Sequence, residues 1–169
     1  MNQNYLIISG TNRLNSNTIK VARLYQDLLK QKGVEANLFS LEGWKWLERN
    51  REFDEFQSHT LQPANKVIWV LPEYNGSIPG VLKLMIDISN YKHTWDGKKS
   101  LLTGVSTGRA GNLRGLEHMT GILHYLQIVV HPNKLPISQV DKLLDADGNI
   151  SDKGTLAAIN QQLDDFIKF

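Results

Sequence analysis

The chain has 169 residues, 41% of them apolar, with 13 glycines and 5 prolines, enough for one buried core and too ordinary for a disordered or repetitive protein. Nineteen basic against 17 acidic residues leave a net charge of +2, which is no footprint for nucleic acid, and the absence of cysteine excludes disulfides, thiolate nucleophiles and Cys-ligated zinc. With no apolar run of membrane-spanning length and no signal-like N-terminus, the expectation is a soluble cytoplasmic protein of one domain over residues 1–169.

Tyr5-Leu6-Ile7-Ile8 is a short apolar run ending at Ser9-Gly10, which predicts a buried first strand. A polar loop over Thr11 to Thr18 follows. From Ile19 the pattern turns helical: Val21, Ala22, Leu24, Tyr25, Leu28 and Leu29 share one face, Arg23, Gln26, Asp27 and Lys30 the other. Gly33 stands where a helix C-cap is expected, and Val34 to Phe39 predicts a second strand, giving a right-handed strand–helix–strand unit. Ser40 to Thr60 mixes Trp44, Trp46, Phe53 and Phe56 with many charges. It is expected to be an irregular or partly helical surface excursion whose aromatics either line or cover the site or, the favoured reading, form a hydrophobic latch. A short helical turn is expected over Leu61–Asn65.

Lys66-Val67-Ile68-Trp69-Val70-Leu71 predicts a fully buried central strand. The loop Pro72-Glu73-Tyr74-Asn75-Gly76-Ser77-Ile78-Pro79-Gly80 leads from it into a helix over Val81–Asn90, with Pro79 suited to the first turn. That helix is apolar almost all round (Val81, Leu82, Leu84, Met85, Ile86, Ile88), apart from the Lys83–Asp87 pair. It is expected to be covered on a second side, by another subunit or by the Trp-bearing excursion. Lys99–Val105 predicts a fourth strand, followed by the loop Ser106-Thr107-Gly108-Arg109-Ala110-Gly111. A helix is expected over Leu113–Tyr125, a fifth strand over Leu126–His131 stopped by Pro132, and a last helix from Ser151 or Asp152 to Phe169.

Alternating strands and helices predict a three-layer α/β domain with a parallel five-stranded sheet. In the order 2-1-3-4-5, the loops after strands one, three and four meet at the switch point where such sheets bind ligands. Gly10 to Thr18 precedes a helix, so free N–H groups and the helix dipole favour an anion there, helped by Arg13 and the hydroxyls of Thr11, Ser16 and Thr18. The loop lacks both the Gly-Lys-Ser/Thr ending of nucleoside-triphosphate loops and the Gly-x-Gly-x-x-Gly fingerprint. Main-chain groups of Glu73–Gly76 and Ser106–Arg109 border a slot suited to a flat heteroaromatic ring, for which flavin mononucleotide (FMN) is the candidate.

Three motifs in order carry a resemblance. Gly10-Thr11-Asn12-Arg13-Leu14-Asn15-Ser16, then Pro72–Gly80 with Leu82-Lys83 and Ile86-Asp87, then Ser106-Thr107-Gly108-Arg109-Ala110-Gly111 make the chain resemble the NADPH-dependent FMN reductases. These are flavodoxin-like proteins that include quinone, azo and chromate reductases. Thr11 stands where the family usually has Ser, which keeps the hydroxyl. The resemblance implies FMN held at its phosphate by Thr11, Arg13, Ser16, Asn17 and Thr18. Around the ring it implies Pro72, Glu73, Tyr74, Asn75, Gly76, Ser106, Thr107, Gly108 and Arg109. It also implies NADPH or NADH as co-substrate, a small-molecule electron acceptor, and a homodimer or homotetramer built on the helix after Gly80.

In such a site the flavin carries the chemistry, in a ping-pong cycle through its N5, so no side chain is singled out as catalytic. A flavodoxin-type electron carrier is the alternative; carriers of that kind are expected to be strongly acidic, and this chain is not. A phosphorylated receiver domain is excluded because Ser9-Gly10 and Leu71-Pro72 stand where it needs acids. No metal site is expected. Asp145-Ala146-Asp147-Gly148-Asn149 begins like a calcium loop, but Ile150 occupies the position needing Gly and no Glu closes it. The five histidines (His59, His93, His118, His124, His131) lack metal-ligand spacing.

Overall fold

A computed structural model describes residues 4–145 and 147–169. Strand β1 (Tyr5–Ser9) leads through the first polar loop to helix α1 (Asn17–Gln31), then strand β2 (Ala36–Ser40). Helix α2 (Arg51–Phe56) runs directly into a π-helical turn, Gln57–Leu61, before β3 (Lys66–Pro72). Helices α3 (Gly80–Ile88) and α4 (Tyr91–Thr94) precede β4 (Lys99–Val105), and α5 (Leu113–Tyr125) precedes the short strands β5 (Val129–Val130) and β6 (Leu135–Ile137). Helices α6 (Val140–Leu143) and α7 (Lys153–Lys168) complete the order. The strands pair in parallel in the order β2-β1-β3-β4-β5, with β6 also on β4. This is the flavodoxin-like arrangement expected from the loops.

Burial on both faces explains why β1 and β3 read as unbroken apolar runs rather than alternating ones. Leu6, Ile8, Val67, Trp69 and Leu71 face the layer holding α3 and α5, where Leu82, Met85, Leu116 and Leu123 are buried. Tyr5, Ile7, Ile68 and Val70 face α1 and α7 on the other side. Gly104 in β4 permits a close approach: a Cβ there would stand 2.1 Å from the carbonyl oxygen of Gly111.

The fifth strand departs from expectation. Leu126–His131 is not one strand; only Val129–Val130 pairs with Lys99–Ser100, and the edge resumes at Leu135–Ile137 against Thr103–Val105. Gln127 has φ 60, outside the strand region, and Pro132 has no N–H to give the ladder. The chain turns at Pro132–Lys134, where the Lys134 N–H bonds the Pro132 carbonyl at 3.0 Å. The Gln162 side-chain amide braces the break by donating to the carbonyls of Leu102 (3.1 Å) and Asn133 (2.9 Å). The helix expected over Val81–Asn90 runs from Gly80 to Ile88. The turn expected over Leu61–Asn65 lies earlier, as the π-helical segment.

The 40–60 excursion is a latch. Trp44, Trp46, Phe53 and Phe56 pack on one another and on Phe39 of β2, with ring centroids 4.8 to 6.5 Å apart; each good pair is worth about 1 kcal/mol. From the π-helical turn, the Gln57 side-chain oxygen accepts from the Asn90 N–H (3.0 Å) and the Thr94 hydroxyl (3.1 Å), tying the excursion to the end of α3.

At the amino end of the sheet, lysines cap helix C-termini. Lys98 donates to the carbonyls of Leu61 (3.0 Å), Gln62 (3.1 Å) and Ala64. Lys66 donates to those of Phe166 (2.8 Å) and Ile167 (3.0 Å), and Lys99 to that of Phe169. No helix among the described residues is long and apolar enough to cross a membrane.

Candidate functional site

At the opposite, carboxyl end of the sheet the loops after β1, β3 and β4 converge on a cavity of about 420 Å3. Its walls include Arg13, Ser16, Asn17 and Thr18 from the first loop, Pro72, Glu73 and Tyr74 from the second, and Ser106, Thr107 and Gly108 from the third. Leu14, Asn15, Val105 and Val140 also line it. Val140 was missed from sequence because it stands far along the chain. It reaches the site because its N–H bonds the Ser106 carbonyl at 3.0 Å. Of the expected site residues, Thr11, Asn75, Gly76 and Arg109 do not line the cavity.

The first loop is built to receive an anion. Ser16 caps α1 by accepting from the Ile19 N–H at 3.1 Å, and no acidic residue occupies the first turn. The N–H groups of Asn17 and Thr18 precede the first intrahelical donor, Lys20, and have no partner among the described residues. Arg13 has no carboxylate within salt-bridge distance among the described residues. Its guanidinium lies over the Tyr74 ring, 4.3 Å from the centroid. Thr11 is fully buried behind this wall; its hydroxyl lies 2.5 Å from the Tyr74 hydroxyl and accepts from the Arg13 N–H at 3.2 Å.

The second loop is a tight hairpin. Tyr74 and Ser77 exchange both backbone hydrogen bonds, at 2.9 and 3.1 Å. Asn75 (φ 52) and Gly76 (φ 74) between them are both left-handed. Asn-Gly is the residue pair that such a two-residue turn demands, so this signal was present in the sequence. The Glu73 N–H is spent on the Val105 carbonyl at 3.3 Å, and the Tyr74 N–H on Ser77. Of the four residues expected to present main-chain donors, that leaves the N–H groups of Asn75 and Gly76. Helix α5 flanks the hairpin: Ser77 Oγ is hydrogen-bonded to His118 Nδ1 at 2.8 Å, and Arg114 Nη1 stands 3.6 Å from where a Cβ on Gly76 would be.

The third loop is braced from β6 and α6. The Ser106 N–H bonds the Ile137 carbonyl (3.0 Å), and the Gly108 carbonyl accepts from Gln139 N–H and Ser106 Oγ, both at 3.0 Å. The N–H groups of Thr107, Gly108 and Arg109 have no protein partner among the described residues. The donor set therefore suits a molecule with an anionic end and a flat polar body, as FMN has. Hydroxyls, N–H groups and a guanidinium without a carboxylate partner among the described residues meet the first. The third loop, with its spare N–H groups at Thr107 and Gly108, and Pro72–Tyr74 flank the second. Glu73 is the one carboxylate in the lining among the described residues.

Neither the latch nor the turn at 145–149 contributes. No aromatic residue of 44–56 lines the cavity. Asp145 Oδ1 accepts from the N–H groups of Asp147 (3.0 Å) and Asn149 (2.8 Å), while Ala146 lies outside the described residues. Among the described residues no group of three or more His, Asp or Glu is placed to hold a metal. A separate groove of about 870 Å3 opens between α3 and α5, lined by Ile78, Ile86, Ile122 and Leu126 with Tyr91 and Tyr125 among its walls.

Comparison with known proteins gives concordant matches. The sequence profile described as NADPH-dependent FMN reductase matches residues 4–142. A 2-hydroxy-1,4-benzoquinone reductase of a Burkholderia species is 32% identical over 107 residues, covering 61% of this chain and 58% of that protein. An NAD(P)H-dependent FMN reductase of Pseudomonas aeruginosa is 34% identical over 108 residues, covering 61% of this chain and 57% of that protein. The matched stretches thus span less than two thirds of these two relatives. Among solved structures, a flavoenzyme NAD(P)H:(acceptor) oxidoreductase from Paracoccus denitrificans superposes with a TM-score of 0.79 at 20% identity, covering 98% of this chain and 96% of that one. An archaeal flavodoxin shares the fold at a TM-score of 0.67 and 14% identity, covering 98% of this chain and 96% of that one.

Proposed function

The chain belongs to the NADPH-dependent FMN reductase family, and from that premise we propose that it is an NAD(P)H-dependent oxidoreductase holding FMN in the cavity at the carboxyl end of its sheet. Its acceptors are quinones, free flavins, azo compounds or similar small molecules. The observation that carries this reading is the convergence of three loops on one cavity, with an Arg13 that has no carboxylate partner among the described residues standing at the helix end.

When bound, FMN would supply the two-electron redox chemistry between NAD(P)H and the acceptor. The residues of the chain bind and orient. Arg13, Ser16, Asn17 and Thr18 hold the phosphate, with Thr11 behind them. Pro72–Tyr74 and Ser106–Gly108 would flank the ring, and the open N–H groups of Thr107 and Gly108 would favour negative charge at its polar edge. No side chain is assigned as a proton donor. The Tyr74 hydroxyl is engaged by Thr11.

The groove between α3 and α5 is read as the seat of a second copy of this chain. Tyr91 and Tyr125 stand 55% and 85% exposed beside apolar Ile86 and Ile122, a patch of the kind that subunit contacts cover. Sedimentation as a monomer at micromolar concentration would remove that part.

Purified protein supplied with FMN is expected to oxidise NADH or NADPH in the presence of a quinone. Lack of turnover with both nicotinamides sinks the reading. If the protein binds FMN but NAD(P)H alone does not bleach it, the electron-carrier alternative stands instead.

A further inference from the structure

Tyr74 belongs by sequence to the loop beside the ring, yet its side chain makes its contacts in the loop after β1. Its backbone is committed to the hairpin with Ser77. Its hydroxyl lies 2.5 Å from the hydroxyl of buried Thr11, and its ring carries the Arg13 guanidinium at 4.3 Å. Thr11 in turn accepts from the Arg13 N–H at 3.2 Å. Side chain and main chain of Arg13 are therefore both referenced to one hydrogen-bonded pair, buried Thr11 and half-buried Tyr74.

The geometry points to Tyr74 as a positioning residue that sets the pose of Arg13 for the cofactor's phosphate, a role that rests on the FMN reading above. A guanidinium held over an aromatic ring is attracted to the ring's face and still has N–H donors to give to an anion. Among the described residues Arg13 has no carboxylate to satisfy those donors, and it lines the cavity beside Ser16, Asn17 and Thr18. An exposed arginine free of the ring would sample many rotamers and lose that freedom on binding; the ring removes much of the loss beforehand. The benefit falls on the anionic end of the ligand and not on its ring. Tyr74 thereby couples the loop that flanks the ring to recognition of the 5′-phosphate, and it sharpens the choice of FMN over riboflavin.

The test is flavin-fluorescence titration of the whole protein with FMN and with riboflavin, for wild type, Tyr74→Leu, Tyr74→Phe, Arg13→Ala and the Arg13→Ala/Tyr74→Leu double variant. Tyr74→Leu is expected to lower FMN affinity on the order of tenfold while riboflavin affinity moves less than about threefold. Tyr74→Phe keeps the ring under Arg13 and is expected to retain most of the preference. In the Arg13→Ala background, Tyr74→Leu is expected to add no further loss for FMN, because a residue acting through Arg13 has nothing left to position. Equal losses for FMN and riboflavin in both Tyr74 variants would mean a merely structural loop and overturn the proposal. So would a further tenfold loss in the double variant, or no loss at all in Tyr74→Leu. A wild type that binds neither flavin instead overturns the FMN reading, and this inference with it.

Discussion

The two ends of the sheet use the same physics to opposite purposes. At the amino end, helix C-termini and buried carbonyls meet Lys66, Lys98 and Lys99, and these ammonium groups donate to carbonyls of the chain itself. At the carboxyl end, α1 presents open N–H groups, and Arg13, Arg109 and Arg114 have no carboxylate partner among the described residues. A cation satisfied internally contributes to stability and is unavailable to a ligand. One left open contributes little to folding and keeps its charge for whatever enters. The lesson is that binding capacity sits where the fold leaves its polar groups unspent, as the marginal balance of stability permits.

Substitutions at the two ends should therefore separate stability from binding. The largest effect is expected at Lys98→Met, which leaves the carbonyls of Leu61, Gln62 and Ala64 without their donor. Urea unfolding should show a loss of roughly 3 kcal/mol, with FMN affinity unchanged. Burial also pushes the Lys98 ammonium down from 10.5 to about 8. The unfolded chain then binds that proton more tightly, so this residue's contribution to stability rises as pH climbs from about 8 to about 10.5. The slope should vanish in the variant.

Arg13→Ala is next and should do the reverse. Losing one charge-assisted phosphate contact is worth about 2 kcal/mol, roughly thirtyfold in FMN affinity, while unfolding shifts by less than about 0.5 kcal/mol. A stability loss matching that of Lys98→Met would break the contrast between the two ends.

His131 gives a smaller, pH-dependent effect at the amino end. It is 6% exposed, its ring packs edge-on against Phe166 and Phe169, and its Nδ1 accepts from the Asn133 N–H at 3.2 Å. Burial holds its pKa below the ordinary 6.5. As pH falls, the unfolded chain takes the proton first, so the stability His131 supplies is complete above about 6.5 and drains away below it. Thermal unfolding from about pH 7 to about 5 should show a steeper decline for wild type than for His131→Leu. The smallest effect is expected at Arg51→Ala. Arg51 is 93% exposed and pairs with Glu55 at i,i+4, a contact worth about 0.3–0.5 kcal/mol. It serves as the control that charge alone, away from both ends, matters little.

Much of this was readable along the chain. The apolar runs at Tyr5–Ile8 and Lys66–Leu71 fall on β1 and β3, and Leu113–Tyr125 is helix α5. Local signals sufficed there because burial demands an uninterrupted apolar run or a strict helical spacing. The fifth strand was misread because its apolar residues fit a strand, and the turn around Pro132 answers to Gln162, thirty residues further on. Asn75-Gly76, expected beside the ring, forms the hairpin tip that its residue types specify. The aromatic excursion could be recognised as a latch, but not its anchorage through Gln57 to Asn90 and Thr94.

By itself the sequence determined the strand order, the family and the three loops that meet, since each is encoded in residues adjacent along the chain. Tertiary structure alone decided which of those groups remain available. Thr11 is buried under Tyr74, the Glu73 and Tyr74 N–H groups are consumed by neighbours, and Arg13 is seated on a ring from another loop. Whether a donor is spent or open depends on partners brought together by the fold, as Val105 is to Glu73 and Tyr74 to Arg13, and local composition cannot specify a distance.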